Sequence, residues 1–356
     1  MARDQSEAIF EADRCGEVRH PRETFAFYGH AEAEAELLEA YRSDRLPQAI
    51  LIGGPVGIGK ATFAWRIARF ILSHPDSNEA VVRNAADLSV GADHPAVRRI
   101  TSLTHGDLFL LRREWNEKAE KPFTEIRADD VRRAIHMFQR AAGSGGCRIC
   151  IVDSAEDLNR SGANALLKLI EEPPPRSLFL IVAHRPLQVI PTIRSRCRKI
   201  LLKPLAPAEI QRATTALGPP WTEVGAEDLL KAAERAKGSV PNALRLLGGQ
   251  GLELDTQIRR LLDELPRLDW RDVHALADHV TGRDHISEYD VMMTSIFDWL
   301  DATVRAEAER GARRLVPFAE AWEKIAEAAR ETEALNLDKR PLILSIFAEL
   351  TAAARA

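Results

Sequence analysis

The sequence predicts an α/β protein whose parallel sheet is covered by helices, followed by a region that is helical throughout. Three observations indicate this architecture. A glycine-rich turn joins an apolar strand to an amphipathic helix near residue 50, further apolar strands alternate with helices up to about residue 202, and strand-like patterns are missing beyond residue 251.

Composition gives the broad class. The chain has 356 residues, 45% hydrophobic and 29% charged, with a formal net charge of −4. These values are typical of a globular protein of two or three domains and do not indicate autonomous nucleic-acid binding. No apolar run reaches membrane-spanning length, and the charged residues 1–25 lack the layout of an export signal, so we expect an irregular lead-in, a cytoplasmic location and no membrane partner.

A phosphate-binding loop is the best-defined motif. The strand predicted at Ala49–Ile52 runs into a glycine-rich turn, and an amphipathic helix follows to Phe70. Glycines allow consecutive backbone N–H groups to surround an anion, the helix N-terminus favours negative charge, and the lysine reaches the outer phosphates. The predicted nucleotide contacts are Gly54, Gly57, Gly59 and Lys60.

The loop lacks one expected ligand. Ala61 follows Lys60 at the position where a Ser or Thr hydroxyl normally binds Mg²⁺. Thr62 lies one residue further, and one residue turns a side chain by about 100° around a helix, so its hydroxyl is a poor substitute. Ala61 and Thr62 stay in the predicted nucleotide site, but efficient hydrolysis is not expected there.

The segment after this helix has weaker signals. Residues 73–93 predict a loop with short helices, His94–Thr101 and Asp107–Arg112 predict short strands, and Glu114–Lys121 predicts a solvated loop. The helix predicted at Ile126–Arg140 carries several arginines, which are either solvated or in contact with DNA phosphates.

A second site residue follows a buried strand. Residues 147–152 predict a buried strand that ends at Asp153, the usual place for the carboxylate that holds the water shell of Mg²⁺. Ser154 follows where an active hydrolase of this type normally has the Glu that orients water. Glu156 and Asp157 are too far along the chain to replace it without rearrangement.

Two cysteines in that strand leave an alternative to consider. Cys147 and Cys150 have the spacing of half a zinc site or of a redox pair. They lie inside an apolar strand, with no second pair and no His at ligand spacing, so we predict no metal there.

The remaining strands complete the predicted sheet. A helix ends abruptly at Pro173, a buried strand at Leu178–Ala183 leads to His184, and Ile193–Arg198 enters a last strand at Lys199–Leu202.

Together these motifs resemble the clamp-loader branch of the AAA+ ATPases over about residues 20–250. The resemblance rests on Gly54–Lys60, Cys147–Asp153, Asn164–Pro174 and the Ser-Arg-Cys motif Ser195–Cys197, which is its most specific part. It implies an AAA+ P-loop domain at 1–203, a helical lid at 204–250 and a helical collar for oligomerisation at 251–356. The implied lid helices are Ala208–Leu217, Glu223–Ala236 and Ser239–Leu247, with a hinge at Gly248–Gly251.

The resemblance also implies roles for two arginines. In this family the arginine of Ser-Arg-Cys acts in trans on the γ-phosphate bound by a neighbouring subunit, and a planar fixed charge suits Arg196 to that role. The alternative is that Arg196 only marks a surface entry to a strand. Arg245 lies in a segment similar to the second sensor region and is the implied phosphate-sensing arginine.

Departures from the family pattern indicate a weakened site. Besides Ala61 and Ser154, His184 stands where a Thr or Asn sensor is usual in the ATP-hydrolysing gamma-type subunits. The four-cysteine zinc module of the family has no cysteines here between Thr62 and Gly146, so the module, if it persists, must fold without metal.

The implied function is therefore that of a mostly non-hydrolysing stator in a replicative polymerase assembly, without a polymerase site of its own. It would bind ATP or ADP weakly or not at all and supply Arg196 to a neighbouring ATPase. The implied partners are gamma/tau-type and delta subunits and, through the complex, a sliding clamp and primed DNA. Two alternatives stay open: an active AAA+ ATPase and a nucleotide-free assembly scaffold.

Overall fold

A five-stranded parallel sheet forms the centre of the first part of the chain. The computed structural model describes Glu11, Arg14 and residues 18–118, 121–139, 146–282, 286–310 and 312–356. The strands are β1 (Ala49–Gly53), β2 (Leu108–Arg112), β3 (Trp115–Asn116), β4 (Lys121–Pro122), β5 (Arg148–Asp153), β6 (Ser177–Ala183) and β7 (Arg198–Leu201). The sheet order is β2-β5-β6-β1-β7, and β3 pairs antiparallel with β4 as a separate ribbon.

Besides three short 3₁₀ turns at Pro21–Glu23, Ala155–Asp157 and Trp221–Glu223, the other regular elements that the structure describes are α-helices. Those up to β7 are α1 (Ala31–Arg42), α2 (Lys60–Ser73), α3 (Ala80–Asn84), α4 (Pro95–Thr101), α5 (Ala128–Gln139), α6 (Arg160–Glu171) and α7 (Pro191–Arg194). Those after β7 are α8 (Pro207–Thr215), α9 (Ala226–Arg235), α10 (Val240–Leu247), α11 (Gly251–Asp263), α12 (Trp270–Val280), α13 (Ile286–Arg310), α14 (Ala312–Ala334) and α15 (Lys339–Arg355).

Alternate residues of the buried strands face two separate apolar cores. On one face, Ile50 and Ile151 pack with residues of α1 and α2, while on the other face Leu51 and Val152 pack with residues of α5 and α6. This is the arrangement expected for continuously apolar strands in a parallel sheet. It confirms the predicted fold class.

The strand register places the functional motifs at two opposite edges of the sheet. Gly53, the last residue of β1, lies opposite Ala183 of β6 and Leu201 of β7. The carboxyl ends of these strands therefore share one edge, and β5, which ends at Asp153, runs parallel beside β6. The amino end of β7 lies at the other edge.

The chain divides into two compact units. One contains the chain up to Glu223 together with Lys237–Pro241, and the other contains Val224–Ala236 together with Asn242–Ala356. The division into domains at 1–203, 204–250 and 251–356 remains a prediction.

A buried carboxylate joins helices within the second unit. The Asp255 side chain on α11 is 1% exposed and accepts hydrogen bonds from Arg235 Nη1 on α9 (2.7 Å) and from Ser295 Oγ on α13 (2.6 Å). Arg259 Nε donates to it from the next turn of α11 (2.9 Å). Three donors satisfy a charge that would otherwise be costly to bury.

Two secondary-structure predictions were wrong. Residues 94–101 form α4 instead of a strand, because Pro95 occupies the first turn and the His94 side chain accepts a hydrogen bond from the Ala96 N–H (3.3 Å). The segment 114–121, predicted as a loop, contributes to the short β3–β4 ribbon, in which Trp115 pairs with Pro122.

Candidate functional site

The phosphate loop turns sharply between β1 and α2. Gly57 and Gly59 have φ of 81° and 96°, in the left-handed region that glycine adopts without strain, and Gly54 has φ of 144°. A Cβ on Gly57 would lie 2.6 Å from Pro241 Cδ, so the phosphate loop lies close to the segment Lys237–Pro241. The Gly57 carbonyl accepts a hydrogen bond from the Val240 N–H (3.0 Å).

A segment before α1 covers the other side of the loop. Phe27 stacks on Phe63 of α2, with ring centroids 5.0 Å apart, and His30 Nε2 donates to the Ile58 carbonyl (2.9 Å). Burial is the main cause that lowers the pKa of His30. Neither contact was predicted from the sequence, because neither Phe27 nor His30 belongs to a motif.

Lys60 turns inward at the start of α2. Its side chain is buried, and Nζ donates to the carbonyl of Pro55 in the same loop. Burial lowers the pKa of Lys60 from 10.5 to about 8, although the nearby carboxylates of Asp153 and Glu156 act in the opposite direction. The ammonium must leave the Pro55 carbonyl, or share its donors, to contact a phosphate.

The structure brings the predicted site residues at the carboxyl edge together. Asp153 is buried at the end of β5, and its charge acts on Lys60. His184 follows β6, and burial first, then the charge of Lys60, lowers its pKa. Glu156 Oε1 accepts a hydrogen bond from the Arg185 N–H, which fixes that carboxylate beside the same strand end.

These residues fit a nucleotide phosphate better than they fit its hydrolysis. The first N–H groups of α2 have no acceptor within the helix, and with Lys60 they would hold phosphate oxygens. Asp153 would face a metal's water shell. Ala61 has no hydroxyl for the metal, Thr62 is one residue further round the helix, and Ser154 is a buried serine without the carboxylate that orients water.

Arg196 lies at the opposite edge of the sheet, in the turn between α7 and β7. Ile193 and Cys197 on either side of it are buried, whereas the Arg196 side chain is 42% exposed. Arg196 Nη2 pairs with Glu171 Oε1 (2.8 Å), and Nη1 donates to the Thr192 carbonyl (3.1 Å). The pairing with Glu171 was not predicted.

Arg245 belongs to the second compact unit, where its Nη1 donates to Asn242 Oδ1 (2.9 Å). Its role as a phosphate sensor remains a prediction.

Arg127, just before α5, and the arginines of α5 are paired with carboxylates. Arg127 Nη2 and Arg133 Nη2 both contact Asp130 Oδ1, at 3.0 and 2.9 Å, and Arg132 Nη1 contacts Asp129 Oδ1 at 2.5 Å. These pairings favour the solvated-face interpretation over DNA contact. Arg140, at the end of the predicted helix, lies outside the described residues.

The two cysteines differ in burial, because Cys150 lies inside β5 whereas Cys147 precedes the strand and is only partly buried. Cys150 is fully buried, and burial raises the pKa of Cys147 to about 12. In the described part of the chain, no group of three or more His, Cys, Asp and Glu side chains is arranged to hold a metal ion. None of the helices that the structure describes combines the length and apolar character needed to cross a membrane.

Comparison with known proteins identifies relatives. The family described as DNA polymerase III, delta subunit, matches residues 29–206. The DNA polymerase III subunit delta' of Pseudomonas aeruginosa is 34% identical over 57% of this chain and 56% of that protein. The subunit of the same name from Escherichia coli K12 is 29% identical over 68% of each chain.

Two further similarities are more distant. The DNA polymerase III subunit gamma/tau of Mycobacterium tuberculosis H37Rv is 29% identical over 53% of this chain and 30% of that protein. A solved structure of a gamma subunit-related protein from Thermotoga maritima covers 92% of this chain and 100% of its own, at 16% identity and a TM-score of 0.40. A structural likeness this loose supports no conclusion about the chain.

The match to the family spans half of the chain and contains the phosphate loop, Asp153 and Arg196, whereas the alignment to the Pseudomonas protein spans little more than half of either protein. The chain belongs to the DNA polymerase III delta subunit family.

Proposed function

We propose that this chain is a clamp-loader subunit that does not hydrolyse ATP efficiently and that supplies Arg196 to the ATP site of a neighbouring subunit. Its partners would be gamma/tau-type and delta subunits, acting together to load a sliding clamp onto primed DNA. The names of its relatives, DNA polymerase III subunits delta' and gamma/tau, support this assembly.

The position of Arg196 relative to its own phosphate loop is the observation that carries the proposal. Arg198 at the start of β7 pairs with Ile50, and Leu201 at its end pairs with Gly53, where the loop begins. The strand alone spans about 10 Å. Arg196 precedes that strand by two residues and bonds further back, to Thr192 and Glu171. Its guanidinium is therefore held away from its own loop, and 42% of the Arg196 side chain is exposed.

The composition of the chain's own site supports the non-hydrolysing part. The loop N–H groups and Lys60 would donate hydrogen bonds to the phosphate oxygens of a bound nucleotide. Two groups that hydrolysis requires are replaced, the metal-binding hydroxyl by Ala61 and the water-orienting carboxylate by Ser154. We propose that any bound ATP or ADP stays intact.

A reconstituted complex tests the proposal. The full chain, as wild type, Arg196→Ala or Arg198→Ala, is combined with gamma/tau-type and delta subunits, and ATP hydrolysis is measured with clamp and primed DNA. Arginine fingers contribute about 10³–10⁵ in rate at a single site. We therefore expect Arg196→Ala to lower the ATPase rate of the whole complex at least several-fold while assembly on a sizing column is unchanged.

Arg198→Ala is the matched control, because Arg198 lies two residues from Arg196, carries the same charge and is also exposed. Its side chain pairs with Glu36 instead of Glu171. Unchanged ATPase in the Arg196→Ala complex would favour the nucleotide-free scaffold. Magnesium-dependent ATP turnover by the isolated wild-type chain would favour an active ATPase.

A further inference from the structure

Glu171 contacts the arginine on which the proposed function depends. Its Oε1 lies 2.8 Å from Arg196 Nη2, and the two side chains are 38% and 42% exposed. Arg196 Nη1 also donates to the Thr192 carbonyl, so both terminal nitrogens of the guanidinium bond within this chain. A phosphate approaching from outside has to compete with these acceptors.

The position of Glu171 in its helix is unfavourable in itself. Glu171 is the last residue of α6, and Glu172 is the C-cap residue, followed by Pro173. A helix C-terminus carries partial negative charge, so a carboxylate there is disfavoured unless a cation compensates for it. The guanidinium of Arg196 is such a cation.

Burial fixes where this carboxylate can reach. Leu169 and Ile170, which precede Glu171, are buried in the core on the α6 side of the sheet. Ile193 of α7 belongs to the same core. The backbone positions on either side of the ion pair are therefore held by packing, and only the two exposed side chains have to move to break the pair.

Given the proposed function, we propose that Glu171 restrains Arg196. Its carboxylate holds the guanidinium on this chain until the nucleotide of the neighbouring subunit competes for the same N–H donors. Glu171 does not touch the nucleotide. It acts through Arg196, by setting the fraction of time for which the guanidinium is free to contact the neighbouring subunit's nucleotide.

The size of the restraint follows from exposure. An ion pair between exposed side chains changes an equilibrium by at most about fivefold and is weakened by salt. A restraint of this size can be overcome by a nucleoside triphosphate, which carries several negative charges. Removing the charge of Glu171 should therefore make Arg196 more available, by about two- to fivefold at low salt.

The test uses the reconstituted complex and measures kcat/KM for ATP. We expect Glu171→Gln to raise kcat/KM about two- to fivefold at low ionic strength, with the gain shrinking as salt is added. Damage to folding would not raise activity, so the direction separates restraint from a structural role. Glu171→Asp, which keeps the charge on a shorter side chain, should fall between wild type and Glu171→Gln.

Two controls separate the pair from general electrostatics. Glu172→Gln removes the same charge one residue further along and should leave kcat/KM near the wild-type value. The double variant Glu171→Gln with Arg196→Ala should match Arg196→Ala alone, because the restraint acts only through that arginine.

The outcomes are distinct. If Arg196→Ala lowers ATPase but Glu171→Gln leaves kcat/KM unchanged or lower, the restraint is refuted and the proposed function stands. An equal gain in Glu172→Gln also refutes it. If the complex is indifferent to Arg196→Ala, the proposed function and the restraint fall together.

Discussion

Replacing Lys60 with Met is expected to stabilise the folded chain at neutral pH, by an amount that decreases as the pH rises. Burial lowers the pKa of Lys60 from 10.5 to about 8, so the charged ammonium is less favourable in the folded than in the unfolded chain. Met removes the charge and keeps a side chain of similar length. The cost of the buried charge should then disappear.

The magnitude follows from the two pKa values. A shift from 10.5 to about 8 corresponds to an upper limit of about 3 kcal/mol at pH 7, because one pKa unit is worth about 1.4 kcal/mol. Below pH 8 both states hold the proton and the full cost is present. Between pH 8 and 10.5 only the unfolded state holds it, so stability rises with pH. From pH 7 to 9 the wild type should gain about 1.4 kcal/mol relative to the Met variant.

Urea unfolding followed by circular dichroism at pH 7, 8 and 9 measures this difference, in a buffer without phosphate or nucleotide. Lys203→Met is the matched control, because it makes the same replacement at an exposed lysine. If wild type and Lys60→Met respond to pH in parallel, the depressed pKa of Lys60 and the reasoning from burial are wrong.

Three further outcomes are expected. Gly57→Ala should lower the free energy of unfolding by about 1–3 kcal/mol, because Gly57 has a positive φ and a Cβ there would collide with Pro241. Gly91→Ala is the control: its Cβ would meet open space, so it should change the free energy of unfolding by under about 0.5 kcal/mol. Asp255→Ala should cost about 3–5 kcal/mol, because it removes a buried charge from its arginines, and Asp272→Ala, at an exposed pair, at most about 1 kcal/mol. Ala61→Ser should tighten magnesium-dependent nucleotide binding in calorimetry without giving the isolated chain measurable phosphate release, because the water-orienting carboxylate is still missing.

Each of these has a contradicting result. Equal free energies of unfolding for Gly57→Ala and Gly91→Ala, measured by urea unfolding, would show that the loop accepts the added Cβ without strain. A loss for Asp255→Ala no larger than that for Asp272→Ala would show that the buried network contributes little. Phosphate release by Ala61→Ser would show that the hydroxyl alone limits the site.

The sheet was predictable because its signals are local. Continuous apolar runs identified β5 and β6, and the glycine spacing identified the turn between β1 and α2. The helix α4 was not predicted, although Pro95 and the capping residue His94 are local signals too, because short apolar runs fit a strand and a helix equally well.

The contacts around the site were not predictable in the same way. His30 bonds to Ile58 across 28 residues of sequence, and Glu171 pairs with an arginine in a different helix–strand turn. Each depends on how separate elements pack, which no single-sequence period records. The phosphate loop could be predicted from the sequence, whereas the residues that cover it, such as His30, could not.

Under the proposed function, the positions of two charged groups explain why a weakened phosphate loop is compatible with an arginine that acts on a neighbour's site. Lys60 lies at the carboxyl edge of the sheet beside Asp153, buried and bonded to its own loop. Arg196 lies beyond the amino end of β7, exposed, with its only described ion pair to Glu171. Because a strand's length separates them, the changes at Ala61 and Ser154 alter the groups around Lys60 and leave the turn that carries Arg196 intact. An arginine that acts in trans needs its turn to be well packed and its side chain to be exposed, and Arg196 meets both conditions independently of the groups around Lys60.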